Sequence, residues 1–219
     1  MPAARILDAD AAARLVRDGA TIMVGGFGLV GAPLQLLAAL ERSGARRLTV
    51  ISNNLGEPGR GLGALLRQGR IARAIGSYFT TNPDVVAAHE AGKLEVTLVP
   101  QGTMVEAIRA GGAGIPAFYT PTAAGTALAD GKETREINGS LCVLEHALHA
   151  DVALIRAHKA DRLGNLVYQK TARNFNPVMA TAAECVIAEV DEIVEAGELD
   201  PESIVTPHLF VDVVVEARR

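Results

Sequence analysis

The chain has 219 residues, of which 49% are apolar and only 4% aromatic, and it carries a formal net charge of −4. At roughly 150 residues per domain this is one large domain or two small ones, with a core that needs no disulfide or metal, and the apolar content excludes a disordered chain. The acidic balance offers no basic surface, so neither nucleic acid nor an anionic membrane is an expected partner.

Helical periodicity over 11–17 leads into a strand at 21–24, a glycine turn, and a helix from about Pro33 to Arg42. A second strand follows at 48–52, a helix near 62–68, a third strand at 71–76, a helix at 84–91 and a fourth strand at 94–99. Residues 104–110 are again helical. The later chain offers strands near 117–119, 152–156, 166–169 and 186–189, with helical patterns near 143–149 and 178–184. Alternation of this kind predicts an α/β fold with an open, largely parallel sheet flanked by helices. One domain is expected over 1–219, with a small inserted lobe roughly within 111–145, where Gly, Pro and Thr are frequent and charges few.

The uncharged run 19–40 is long enough by count to cross a bilayer. Five glycines between Gly19 and Gly31, with Pro33 behind them, would break such a helix, so no membrane span is expected. Residues 1–20 form a charged amphipathic pattern unlike a signal peptide. The two cysteines, Cys142 and Cys185, lie in apolar stretches without C-x-x-C spacing, which fits free thiols, no metal site and a cytoplasmic location.

Three loop motifs carry chemistry. Gly26, Gly28 and Gly31 satisfy G-x-G-x-x-G between a strand and a helix, where glycines let backbone N–H groups approach an anion or acyl oxygen and the helix dipole favours negative charge. A dinucleotide site also needs a carboxylate at the end of the next strand. That strand ends instead in Ser52-Asn53-Asn54, two neutral amides that taken alone read as turn chemistry. In Pro100-Gln101-Gly102-Thr103, Pro100 stops the fourth strand and Thr103 with Glu106 reads as a capping box. Three such loops share the rim where open parallel sheets bind ligands. Farther on, Asp161 to Asn165 reads as a turn between β runs and Asn176-Pro177 as another; Lys170 and Arg173 suit a solvated or structural ion pair better than a phosphate. His146 and His149 fall on one face of the expected helix, as surface histidines. No local pattern supplies a nucleophile.

Taken together, Val24-Gly-Gly-Phe-Gly, Gly31-Ala-Pro33, Ser52-Asn-Asn54, Pro100-Gln-Gly-Thr103, the stretch 109–122, Lys159-Ala-Asp-Arg162 and 170–177 resemble the α subunit of the 3-oxoacid CoA-transferases. The segments occur in the family's order over nearly the whole chain. The resemblance implies an open α/β fold shared with some sugar-phosphate isomerases, and a partner β subunit of similar fold that carries the catalytic glutamate. It implies no catalytic nucleophile in this chain, no cofactor beyond coenzyme A as substrate, and an α2β2 assembly. By carry-over, Asn53, Asn54 and Gln101 line the acyl or carboxylate site, and Gly25, Gly26, Gly28 and Gly31 form a CoA-associated loop. The implied reaction moves CoA from an acyl-CoA such as succinyl-CoA to acetoacetate or 3-oxoadipate. Two other functions fit the fold: an isomerase-like enzyme, which needs its own carboxylate base at a strand end, and a non-catalytic ligand-binding module.

Overall fold

The structure, a computed structural model, describes residues 3–217. Its first half runs β1 (Arg5–Ile6), α1 (Ala9–Ala13), β2 (Thr21–Val24), α2 (Leu34–Ser43), β3 (Leu48–Ile51), α3 (Leu62–Arg67), β4 (Ile71–Gly76), α4 (Pro83–Glu90), β5 (Glu95–Leu98) and α5 (Gln101–Gly112). The second half adds β6 (Ala117–Thr120), β7 (Thr134–Ile137), β8 (Ser140–His146), β9 (Ala150–Arg156), β10 (Lys159–Asp161) and β11 (Leu166–Val167). It closes with α6 (Asn176–Met179), β12 (Ala183–Val190), β13 (Glu192–Val194) and β14 (Val213–Glu216).

Eight strands form one sheet in the order β1-β14-β12-β9-β2-β3-β4-β5, and every neighbouring pair in it is parallel. Period-2 alternation sends successive side chains of each strand to opposite faces. Ile22, Val24, Val50, Val152 and Leu154 enter one core with Leu36 and Leu40 of α2, Leu65 of α3 and Val85 of α4. Met23, Ile51, Ala153 and Ile155 enter the other with Met104 and Ile108 of α5 and Met179 of α6. Burial on both faces explains why these strands read as continuous apolar runs. Residues 117–146 stand apart as a three-stranded antiparallel sheet, β6-β8-β7. Asn138 and Gly139, both at positive φ, join β7 to β8 in a two-residue hairpin of the type such residues favour.

Several expected elements take another form. The predicted helix at 143–149 is the end of β8 and a connection into β9, because β8 is the central strand of its sheet and its pairing on both edges overrides helical spacing. His146 and His149 are exposed but share no helix face. The predicted helix at 178–184 is split: α6 ends at Met179, and by Ala183 the chain is in β12, paired along its length with β9. The strand expected at 166–169 is two residues long, and its hairpin with β10 confirms the turn at Asp161, whose Oδ1 accepts from the amides of Leu163, Gly164 and Asn165. Asn176-Pro177 opens α6 and is not a turn. α5 begins two residues before the expected capping box, behind Pro100. Thr103 therefore lies inside the first turn, buried with an unpartnered hydroxyl, and Glu106 pairs with Arg109. Among the described residues no helix is long and apolar enough to cross a membrane; the uncharged run is β2, a loop and α2.

Candidate active site

From β2 the chain moves outward through β3, β4 and β5 on one side, while β9, β12 and β14 lie on the other. The crevice beyond the carboxyl ends of β2 and β9 is thus a topological switch point, the place where parallel sheets accept ligands. The glycine loop leaves β2 there, and Gly25 N donates to Leu154 O of β9 at 3.0 Å.

Asn53 and Gln101 meet on the next stretch of rim. Asn53 follows β3 and is 1% exposed, and its backbone carbonyl accepts from the amides of Ser77 and Tyr78. Gln101, the first residue of α5, donates from Nε2 to Asn53 Oδ1 at 2.6 Å. The Asn53 Nδ2 group has no partner among the described residues, so it is a neutral donor held in place but unused. Asn54 is half turn chemistry, because its Oδ1 accepts from Gly56 N at 3.0 Å. It also lines, with Gly25, Gly28, Ser52 and Gly61, a cavity of about 10 Å³ between the two loops. That is room for one water at most; a substrate must approach from the open rim above it.

The four candidate glycines divide. A Cβ at Gly25 would overlap Asn176 Oδ1, and one at Gly31 would overlap Ala172 O and lie 2.7 Å from Asn174 Nδ2. These two glycines admit the 172–176 segment rather than a ligand. Gly26 N is likewise taken, by Asn174 Oδ1 at 3.1 Å. Gly28 has open space around its Cβ position and a φ of +61°, as the turn between Phe27 and Val30 requires. Phe27 and Val30 are more than half exposed.

The start of α2, expected to favour an anion, already holds one. Glu189, at the end of β12 and 1% exposed, accepts from Leu36 N at 2.8 Å and pairs with Arg156. Burial pushes its carboxyl above the usual range, while the Leu36 and Gln35 amides and the Arg156 guanidinium pull the other way. Arg156 also pairs with Asp191, whose Oδ2 lies 3.1 Å from His158 Nδ1. This network lines a second cavity of about 270 Å³, with Leu29, Ala32, Tyr168 and Gln169 around it. Tyr168 is pushed up to about 12 by burial, its hydroxyl 2.7 Å from Thr206 Oγ1. Lys170 and Arg173 are exposed, and the ion pair expected of them is absent among the described residues.

Residues 7–217 match the Coenzyme A transferase family. The chain belongs to that family. Among its relatives is the A-type subunit of 3-oxoadipate CoA-transferase from Pseudomonas putida, 54% identical over 91% of this chain and 87% of that one. Another is the A-type subunit of succinyl-CoA:3-ketoacid coenzyme A transferase from Xanthomonas campestris pv. campestris (strain B100), 55% identical over 97% and 88%. An acyl-CoA transferase from Escherichia coli O157:H7, solved as a thioester complex with CoA, superposes with a TM-score of 0.91 at 23% identity. At that identity the likeness establishes the fold; it covers 98% of this chain and 50% of the other.

Sequence reasoning missed four residues of this CoA-transferase rim: Asn174, Asn176, Arg156 and Glu189. The last two had a readable signal. Each closes an apolar strand run with a charge of opposite sign, and they are register partners across β9 and β12. The asparagines had none, since their partners lie about 145 residues away.

Proposed function

We propose that this chain is the α-type subunit of a CoA-transferase that exchanges CoA between succinyl-CoA and a 3-oxoacid such as acetoacetate or 3-oxoadipate. The observation that carries the reading is the Asn53–Gln101 amide pair at the rim, together with a buried carboxylate at the start of α2, Glu189, that is already engaged. A nucleophile must be accessible and unengaged, yet one Glu189 oxygen takes Leu36 N and the other Arg156. The attacking carboxylate is then the one the family resemblance implies, a glutamate of the partner β subunit. For the same reason Glu189 does not suit an isomerase base.

The chemistry runs in balanced steps. The partner's glutamate carboxylate attacks the thioester carbonyl, the C–S bond breaks, and a mixed anhydride and CoA thiolate result. The thiolate then attacks the glutamyl carbonyl, releasing succinate and leaving a glutamyl-CoA thioester. The acceptor carboxylate reverses both steps and departs as its CoA ester. Each addition puts negative charge on a carbonyl oxygen. Neutral amides such as Asn53 Nδ2 stabilise that charge without trapping the substrate carboxylate as a lysine would. Asn54 and the outer face of the glycine loop at Gly28 then border the acyl-CoA, with Gly25, Gly26 and Gly31 shaping the loop from within.

An α2β2 assembly and a cytoplasmic location complete the reading; the unpaired thiols of Cys142 and Cys185 support a reducing compartment. The test is CoA exchange between succinyl-CoA and acetoacetate or 3-oxoadipate, with this chain alone and with the β subunit. Exchange only in the mixture is expected. Full activity in this chain alone would refute the half-enzyme reading.

A further inference from the structure

The glycine loop is held by a side chain that no motif announces. Asn174 Oδ1 accepts from Gly26 N at 3.1 Å and from Phe175 N at 2.7 Å. Its Nδ2 donates to Val30 O at 3.0 Å and to Thr171 O at 3.1 Å. Gly26 and Val30 bracket the tight turn in which Phe27 and Val30 exchange backbone hydrogen bonds, so one amide ties both ends of that turn. Asn174 does this from a φ of 20°, a backbone costly for a residue with a side chain and one that persists only where its surroundings over-determine it. Such strain clusters at functional sites. On its opposite side the loop presents Gly28, Leu29 and Ala32 to Ser52 and Asn54 across the small cavity.

We propose that Asn174 is a positioning residue of the acyl-CoA site, setting the height of the 26–30 turn above Asn54 so that the turn forms one wall of the cleft. The proposal rests on the CoA-transferase reading above. Among the described residues Asn174 hydrogen-bonds neither Asn53 nor Gln101, so its loss should loosen substrate binding while sparing the reaction of bound substrate.

The test uses this chain assembled with its β subunit. In Asn174→Ala, KM for succinyl-CoA should rise about tenfold while kcat stays within about threefold. Asn174→Asp keeps the acceptor for Gly26 N and loses the donor to Val30 O, so its KM should fall between wild type and the alanine variant. Hydrogen exchange at the Gly26 amide, read independently of activity, should speed up in Asn174→Ala. A lowered kcat at unchanged KM, which is what partial misfolding gives, overturns the proposal. So does an unchanged KM beside faster Gly26 exchange. A wild-type assembly that transfers no CoA sinks the transferase reading itself, and the link to acyl-CoA with it.

Discussion

Gly25→Ala is the substitution whose cost follows most directly from the geometry. A Cβ at this position would overlap Asn176 Oδ1 and come within 2.6 Å of its Cγ. Gly25 is not among the residues at positive φ, so alanine has no backbone strain of its own there and the effect falls on Asn176. Asn176 is fully buried. It accepts from Arg156 N at 2.8 Å and donates to Gly31 O at 3.0 Å and Ala172 O at 2.9 Å. Displacing it forfeits three hydrogen bonds at about 1 kcal/mol each. Overpacking adds about 1–3 kcal/mol, for a total of about 4–6 kcal/mol. Against a typical domain stability of about 5–15 kcal/mol, the variant should be marginally folded. Urea unfolding followed by circular dichroism measures it. Asn176→Ala alone should also destabilise, but adding Gly25→Ala to it should cost little, because the methyl enters vacated space. The double-mutant cycle should then show coupling close to the full cost of Gly25→Ala, about 4–6 kcal/mol, above the range of about 0.5–3 kcal/mol common for contacting residues. Stability within about 1 kcal/mol of wild type for Gly25→Ala, or additive single effects, would refute the packing argument.

Two other substitutions test the rim. Asn53→Ala should lower kcat of the assembled enzyme by about 10²–10³, the range for removing one oxyanion donor, and Gln101→Ala, which removes the amide that holds Asn53 in place, should lower it less, with co-elution of the two subunits unchanged in both; unaltered kinetics would remove that residue from the site. Glu189→Gln tests the buried carboxyl at the start of α2. Burial raises the folded pKa above 4.5, so between the unfolded and folded values the folded chain holds the extra proton and stability falls as pH rises. The stability of wild type relative to Glu189→Gln should decline upward from pH 4.5 and level off above the folded pKa. A difference that does not vary with pH would contradict this.

The parallel half of the fold is written locally. Thr21–Val24 is an apolar run before a glycine and Ile71–Gly76 an apolar stretch broken only by Arg73, and they form the strands expected of them. Asn53 and Gln101 were named through the family resemblance, since their local readings were a turn and a loop amide; the structure brings the two side chains together on the rim. Local reading failed where pairing decides. Residues 143–149 carry helical spacing, yet 143–146 end β8, the central strand of its sheet, and Val213–Glu216 is too short to announce itself although it binds β12 and β1. The glycine loop failed differently. A missing side chain signals close approach but not by what, and here the approaching groups at Gly25 and Gly31 are Asn176, Asn174 and Ala172. The start of α2 was expected to favour an anionic ligand, and the group on its Leu36 amide is the chain's own Glu189, brought there by the register of β12 on β9.

The division of labour between an amide-lined rim here and a carboxylate in the partner is tested most directly by locating the covalent CoA. The assembled enzyme would be incubated with succinyl-CoA without acceptor, the thioester reduced with borohydride, and both subunits mapped by peptide mass spectrometry. The mass change expected for a reduced glutamyl thioester should fall on a single glutamate of the β subunit, with every carboxylate of this chain unmodified. Modification of Glu189, or of any other carboxylate in this chain, would contradict the account.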